Sequence, residues 1–425
     1  MNEQLPGRAR PSTFRALLQR LTLVLDVQAE KEVGNHAAAG ALSFLLSAVP
    51  VLLLSLGLAG WVLEAFPGGA RRLEALATTV LGPIHVPDAA PKLFNHGLLA
   101  LGTVITVLGL FWTSRVFFSS IRRGFKVIWG AKATAVTLWD VAGAYLMEVA
   151  ALVTMVAVLA LSEVARVLVM AARHSLDPQT LGGLVLGIEA VPFVVLWGFF
   201  VATLRFLPVT PPGLGRITVY SLAAVGLFSL IGLTLHRIIN TDQYELLYGV
   251  ITNLVLVLVN VSVFFSLYYA TATALFVEQN FDGLLLGRHL RRWARTTPDP
   301  IDDFVFGDIG RLERRYGRAL EAGSIVFRQG DVGATAFVVE QGEVEIVVEG
   351  PESHVVAVLG PGEIFGETAS LLGEPRGATI RARSPGLVLE IPPEVFAFAL
   401  RADPGANRKL LGALAERVKR ANARA

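Results

Sequence analysis

The chain contains no cysteine. Disulfides, thiolate nucleophiles and metal or iron–sulfur sites built on cysteine are therefore excluded. Charge is also scarce. Asp, Glu, Lys and Arg make up 17% of 425 residues while 53% are hydrophobic, against about 25% charged in ordinary soluble domains. The seven histidines, at 36, 85, 96, 174, 236, 289 and 354, form no HxH or HExxH spacing, and the acids are equally dispersed. Hydrolytic metal sites and histidine acid–base pairs need such clusters, so no metal site and no catalytic set are expected. The N-terminus, "MNEQLPGRARPSTFRALLQRL", lacks a short apolar core followed by a small-residue cleavage site, so no cleaved signal peptide is expected.

What is present is apolar sequence in long runs, almost all of it before residue 285. Six segments, 37–63, 97–114, 139–161, 183–204, 217–239 and 247–276, approach or exceed the roughly 20 residues that cross a bilayer. The first has no charge between His36 and Glu64. Lys and Arg fall unevenly around these segments. One side collects about sixteen: the N-terminal arm, the second-to-third and fourth-to-fifth connections, and the exit after the sixth. The other side holds about six, among them Arg71, Arg72 and Arg237. Positive charge marks the cytoplasmic side, so both termini are predicted there. The expected layout is a cytosolic arm over 1–36, a six-helix membrane bundle over 37–285, a linker over 286–303 and a soluble domain over 304–425.

Some shorter pieces are amphipathic. Phe14, Leu17, Leu18, Leu21 and Leu25 share one face of a predicted helix with arginines opposite, suited either to lipid headgroups or to packing on the bundle. "ARRLEALATTVLG" and "VFFSSIRRGFKVIWG" leave the same two readings open. Within the spans, Glu148 and Glu189 stand without a basic partner in their own segments, and Asn253 and Asn260 lie seven residues apart on one face. They suit either a polar pathway or interhelical hydrogen bonds that fix the packing. Pro50 and Pro192 are predicted kinks. The run Ala37–Ala41, with Gly40 within it, permits close approach by another helix, of this chain or of a second copy.

"AAAGALSFLLSAVPVLLLSLGL", "RRGFKVIWGAK", "LRFLPVTPP" and "YGVITNLVLVLVNVSVFFSLYYATATALFVEQN" occur in this order and spacing. Over roughly residues 15–285 the chain resembles the YihY/BrkB family of bacterial inner-membrane proteins, sometimes labelled ribonuclease BN-like. The resemblance implies a polytopic bundle in the plasma membrane. The dispersed histidines and acids argue against the nuclease label.

Beyond the Arg-rich, proline-bearing stretch "GRHLRRWARTTPDPIDD" the pattern changes. Its arginines, next to a span, read as a contact for anionic headgroups. A short helix is predicted near 304–318. Then "GSIVFRQGD", "AFVVEQGEVEIVVEG" and "HVVAVLGPGE" alternate apolar and polar residues between glycine turns, which predicts short antiparallel strands in a sandwich or jelly roll. The end of the chain is helical by its stripe of Leu410, Leu411, Leu414 and Val418.

The cassette "FGETASLLGEPRGATIRA", Phe365 to Ala382, carries the chemistry. Gly366 lets backbone approach a ligand, and the first N–H groups of a short helix "ETASLL" welcome an anion. Glu367 can accept from a sugar hydroxyl, and Arg376 offers a planar fork for phosphate oxygens. An acid for the sugar and an arginine for the phosphate suit a compact, singly charged sugar phosphate. With Gly323, Gly330, Asp331 and Gly342 at the strand turns, residues 305–422 resemble cyclic nucleotide-binding domains, as in catabolite activator proteins and regulatory subunits of cAMP-dependent kinase. The resemblance implies that Glu367 holds the ribose 2′-hydroxyl and Arg376 the cyclic phosphate, assisted by the N–H groups of Gly366 and Ala369. Gly377 follows the arginine where relatives carry Ala, Ser or Thr, and its lack of a hydroxyl leans toward cAMP. The final helix has no aromatic residue after Phe398 to stack on a base.

No DNA-reading element is expected after this domain, hence no nucleic-acid partner, and no cofactor beyond a regulatory nucleotide. The sequence therefore predicts a sensor that biases a membrane bundle, partnered by the bilayer and a cyclic nucleotide. A ligand-regulated transporter and a non-transporting scaffold or receptor, its domain a sensor or a ligand-free interaction module, are the two outputs it allows.

Overall fold

The computed structural model describes residues 13–47, 96–130, 178–238, 250–295, 299–350 and 353–422, with the single positions 165, 169 and 297. The chain forms two compact units, one of Asp26–Phe276 and one that joins Met1–Leu25 to Val277–Ala425. The described helices are α1 (Thr13–Glu30), α2 (described over 33–47), α3 (His96–Trp129), α4 (Pro178–Phe206), α5 (Leu214–Ile238) and α6 (Val250–Gln279).

In the first unit α6 supplies the core. Its Phe265, Tyr268, Tyr269, Ala272 and Leu275 are fully buried. Phe265 meets Phe44 of α2 at 6.1 Å and Phe117 of α3 at 5.9 Å, while Tyr268 meets Phe200 of α4 at 5.1 Å. Such tilted and edge-on aromatic contacts fix how the helices meet. The outer faces are different: Phe193 and Val194 on α4, Leu222, Leu230 and Leu233 on α5, and Val255 and Leu258 on α6 are all exposed.

Among the described residues two helical stretches, Leu214–Thr234 and Val255–Gln279, are long and apolar enough to cross a membrane, and Ala190–Phe206 is a shorter apolar helix. Only 22% and 28% of the two longer windows are buried, unlike a soluble core helix, which is covered on most sides. Among the described residues two helices thus meet the length and composition of a span, and they overlap two of the six expected segments. The predicted span 139–161 and the piece "ARRLEALATTVLG" lie outside them, as does most of 37–63. "VFFSSIRRGFKVIWG" is not a separate surface helix. It continues α3, and its Phe117, Ile121, Phe125 and Ile128 are buried.

The second unit contains α7 (Phe281–Ala294), α8 (Pro300–Phe306) and α9 (Gly310–Tyr316), then strands β1 (Gly317–Leu320), β2 (Ile325–Phe327), β3 (Ala336–Gln341), β4 (Val344–Val348), β5 (His354–Leu359) and β6 (Ile364–Phe365). After these come α10 (Glu367–Leu372), β7 (Thr379–Ala382), β8 (Gly386–Ile391), α11 (Pro393–Ala402) and α12 (Pro404–Asn422). Two four-stranded antiparallel sheets, ordered β1-β8-β3-β6 and β2-β7-β4-β5, face each other. Phe337, Val339, Val344, Leu359, Phe365 and Val388 fill the space between them, the sandwich that the alternating pattern predicts.

Three expectations are corrected here. The helix expected near 304–318 is two helices and the start of a strand. Asp299 caps α8 by accepting from the N–H groups of Ile301 and Asp302, the chain breaks at Gly307, and Asp308 Oδ1 accepts from Gly310 N at 2.9 Å as α9 starts. The stretch 286–303, expected as a linker, is largely helical. Its arginines meet acids of this same unit: Arg288 and Arg295 pair with Asp302 at 3.2 and 2.8 Å, Arg292 with Asp303 at 2.8 Å and Arg291 with Asp403 at 3.3 Å. Residues 13–25, expected in a separate arm, belong to this unit as well, with the Gln19 side-chain amide donating to the carbonyls of Val305 and Asp308.

Asp282 ties α7 to α9. Its two oxygens accept from Arg311 Nε at 2.6 Å and from Arg315 Nη1 at 2.7 Å, and Tyr316 donates its hydroxyl to it at 3.1 Å. The arginines are partly exposed, so screening reduces what the pairs contribute. Asp282→Ala is expected to destabilise this unit by about 1–2 kcal/mol, read as a lower unfolding midpoint of the full chain; an unchanged midpoint would remove Asp282 from the packing of α7.

Candidate ligand site

The cassette begins where β6 pairs with β3, Phe337 opposite Phe365 and Val338 opposite Ile364. The two phenyl rings stack at 5.1 Å and 7°, which anchors the point where the chain leaves the sheet. Gly366 follows with φ 69° and ψ 8°, left-handed backbone that glycine adopts without strain, and α10 starts at Glu367. A Cβ on Gly366 would also lie 2.5 Å from Nη1 of Arg376. The position needs glycine on both counts.

Arg376 is the centre of the site. It is only 5% exposed. Its Nη1 donates to the Gly366 carbonyl and its Nη2 to the Thr335 carbonyl, each at 2.8 Å. The guanidinium lies over Phe327 at 4.2 Å and Phe337 at 5.5 Å. Its backbone is clamped too, N–H to Asp331 O at 2.9 Å and carbonyl from Gly330 N–H at 2.8 Å. Burial pushes its pKa down, opposed by Glu390, Asp331 and Glu367; an arginine so placed keeps its charge. Glu367 and Ala369 are buried beside it at the start of α10. A side chain at Gly377 would meet no protein atom within 4 Å.

The fold thus gathers Gly366, Glu367, Ala369 and Arg376 from the two ends of one short segment, with Gly377 beside the arginine. Of the intramembrane candidates, Asn260 is the one whose side chain is among the described residues. Glu148 lies outside the described residues. Glu189 is on α4 and Asn253 on α6. Asn260, half-buried on α6, donates to the Leu256 carbonyl of its own helix at 3.0 Å.

Sequence reasoning missed the inner wall of the site, the Thr335 carbonyl and the rings of Phe327 and Phe337. It also missed how α7 sits on the sandwich. His289 Nε2 lies 2.8 Å from Glu340 Oε2 and 3.1 Å from the indole nitrogen of Trp293. The indole rests on Gly362, where a Cβ would be 2.6 Å from the ring. Gly362 stands four residues before Gly366. The signal was present as Leu286, His289, Leu290 and Trp293, a helical face inside a stretch that its charge marked as linker.

Two family models match the chain: virulence factor BrkB over residues 24–289 and the cyclic nucleotide-binding domain over residues 317–403. The chain belongs to the virulence factor BrkB family. In this BrkB-family protein the second match covers the two sheets and the whole cassette. The chain is 40% identical over 94 residues to an uncharacterized ABC transporter ATP-binding protein of Mycobacterium tuberculosis, 22% of this chain and 28% of the relative. It is 36% identical over 112 residues to the cAMP-dependent protein kinase regulatory subunit of Yarrowia lipolytica, 24% of this chain and 28% of the relative. The chain therefore spans just over a quarter of the length of these curated relatives. Among solved structures, the Thermus thermophilus catabolite activator protein is 27% identical with a TM-score of 0.25, covering 27% of this chain and 56% of that one. The regulatory domain of Toxoplasma gondii PKA with cAMP is 27% identical with a TM-score of 0.21, covering 28% and 44%.

Lys409 on α12 gives a pH test of how α12 meets α7. Its ammonium is 5.7 Å from the Trp293 ring, and burial pushes its pKa down to about 8, against the pull of Glu363 and Glu340. An unfolded lysine titrates near 10.4. Between about 8 and 10.4 the unfolded chain binds more protons, so this residue makes stability rise with pH in that window. The unfolding midpoint of the BrkB-family chain should climb less from pH 8 to 10 in Lys409→Met than in the parent; equal slopes would mean that Lys409 is not desolvated there.

Proposed function

We propose that this protein is a multi-pass inner-membrane protein whose C-terminal domain is a cytosolic cyclic-nucleotide sensor, selective toward cAMP, that biases the membrane part. The observation that carries the reading is Arg376: a buried guanidinium beside a left-handed glycine and a buried acid, with both terminal amines directed at backbone carbonyls that a phosphate can replace. Glu367 would take the ribose hydroxyl, the N–H groups of Gly366 and Ala369 would face the phosphate, and the open space at Gly377 supplies no hydroxyl to favour guanine. The domain senses rather than reacts. The six-span layout with both termini cytoplasmic rests on the distribution of Lys and Arg and on the uncovered apolar faces of α4, α5 and α6.

The route from ligand to membrane follows the chain. A phosphate that draws Arg376 away from the Gly366 and Thr335 carbonyls loosens the turn at 360–366. That turn carries the indole of Trp293 on Gly362. Trp293 belongs to α7, and α7 begins two residues after α6 ends, with only Asn280 between them. Ligand binding shifts the membrane part only by as much as it favours one arrangement of this path over another.

Transport through the bundle, with Glu148, Glu189, Asn253 and Asn260 as its polar groups, is one output. Asn260 bonding within its own helix supports the second, a scaffold or receptor whose polar residues serve packing. cAMP-dependent solute flux in proteoliposomes, lost in Glu148→Gln or Glu189→Gln, would select the transporter.

The sensor reading is tested by titrating the purified full chain with cAMP and cGMP. Loss of two charged hydrogen bonds predicts that Arg376→Ala weakens cAMP binding by about 100-fold or more, with Glu367→Gln weaker by about tenfold and cGMP behind cAMP in the parent. A folded parent chain that binds neither nucleotide would overturn it.

A further inference from the structure

A second cluster of arginines stands apart from the nucleotide cassette, where α1, α7 and α9 meet around a cavity of about 100 Å³. Its lining includes Gln19 and Arg20 of α1, Phe281 of α7, and Arg311 and Arg314 of α9. Phe281 is buried, and two guanidinium groups lie over its ring, Arg20 at 5.2 Å and Arg311 at 5.1 Å. Each of these arginines meets its acid through Nε, Arg20 with Glu278 at 2.9 Å and Arg311 with Asp282 at 2.6 Å. Among the described residues no acceptor engages their terminal amines, the part of the fork that suits phosphate oxygens. Arg314 has no ion pair among the described residues.

The acids present do not cancel this charge. Asp308 also lines the cavity, but its Oδ1 accepts from Gly310 N and its Oδ2 lies 3.9 Å from Arg15. Counting the groups that line the cavity or pair with its arginines, Arg15, Arg20, Arg311, Arg314 and Arg315 face Glu278, Asp282 and Asp308. The walls are also held in place before any ligand arrives. The Gln19 amide is fixed by two carbonyls and Asp282 by three donors. An arginine set pinned by aromatic stacking and by Nε pairing, with its outer amines left over, is preorganised for an oxyanion.

We propose that this cavity binds a phosphate group, as a second anion site independent of the nucleotide cassette. The phosphate can belong to the headgroup of an anionic phospholipid or to a soluble phosphate; the recognition chemistry is shared. The location gives binding a consequence. Phe281 follows the end of α6 by two residues, so a ligand here stiffens the junction through which the C-terminal unit is joined to the last apolar helix.

The test uses the full chain in neutral detergent, with Arg314→Gln and Arg20→Gln as variants. Arg314 is exposed and has no ion pair among the described residues, so its replacement leaves the fold intact. One arm counts phosphatidylglycerol against phosphatidylcholine adducts by native mass spectrometry. The other titrates inorganic phosphate against chloride at constant ionic strength and reads the unfolding midpoint. Either probe should bind, with each variant weakening it about tenfold and a control at the exposed Arg401, Arg401→Gln, leaving it unchanged. Preference for phosphatidylglycerol identifies the lipid source, and binding of inorganic phosphate alone the soluble one. Binding of neither probe, binding indifferent to both variants, or binding lost equally in Arg401→Gln would each overturn the proposal.

Discussion

A buried guanidinium must be satisfied, and that requirement organises the C-terminal unit. Arg376 sits under two backbone carbonyls and over two phenyl rings. Leaving it unpaired would cost several kcal/mol, so the loop before β3, the turn after β6 and the cassette itself are all drawn to one point. Gly366 suits this arrangement twice over: its backbone is left-handed, and a Cβ there would lie 2.5 Å from Nη1. The two bonds from Arg376 to the carbonyls close the site, and in the proposed sensor a phosphate takes them over.

The other unit answers a different constraint. Its interior is aromatic, with α6 at the centre, and its outer faces carry leucine, valine and phenylalanine with nothing over them. Water makes such a surface costly while a bilayer makes it ordinary. Asn260, half-buried on α6, turns its side-chain amide to the backbone of its own helix.

Much of this was legible in the sequence, in proportion to how local the physics is. Strand alternation and glycine turns are properties of a few consecutive residues, and the two sheets follow the predicted segments closely. The cassette was readable because Gly366, Glu367 and Arg376 lie within eleven residues of one another. The break at Gly307 was not, because the strong helix formers around 311–316 mask a restart set by Asp308. The segment 286–303 was misread because its arginines suggested solvent or lipid, whereas their acids, Asp302, Asp303 and Asp403, are met in part only after folding. Phe327, Phe337 and the Thr335 carbonyl come to Arg376 from about forty residues away, a distance no motif spans. The family resemblances rest on order and spacing over long stretches, which is why they extend to both units.

The central claim is that a ligand in the cassette is felt at α7, through Gly362 and Trp293. Hydrogen exchange of the full chain in detergent, with and without saturating cAMP, tests it most directly. The account predicts altered exchange across residues 281–294 together with protection of 365–382, both absent in Arg376→Ala. Protection confined to 365–382 in the parent, with 281–294 unchanged, would contradict it.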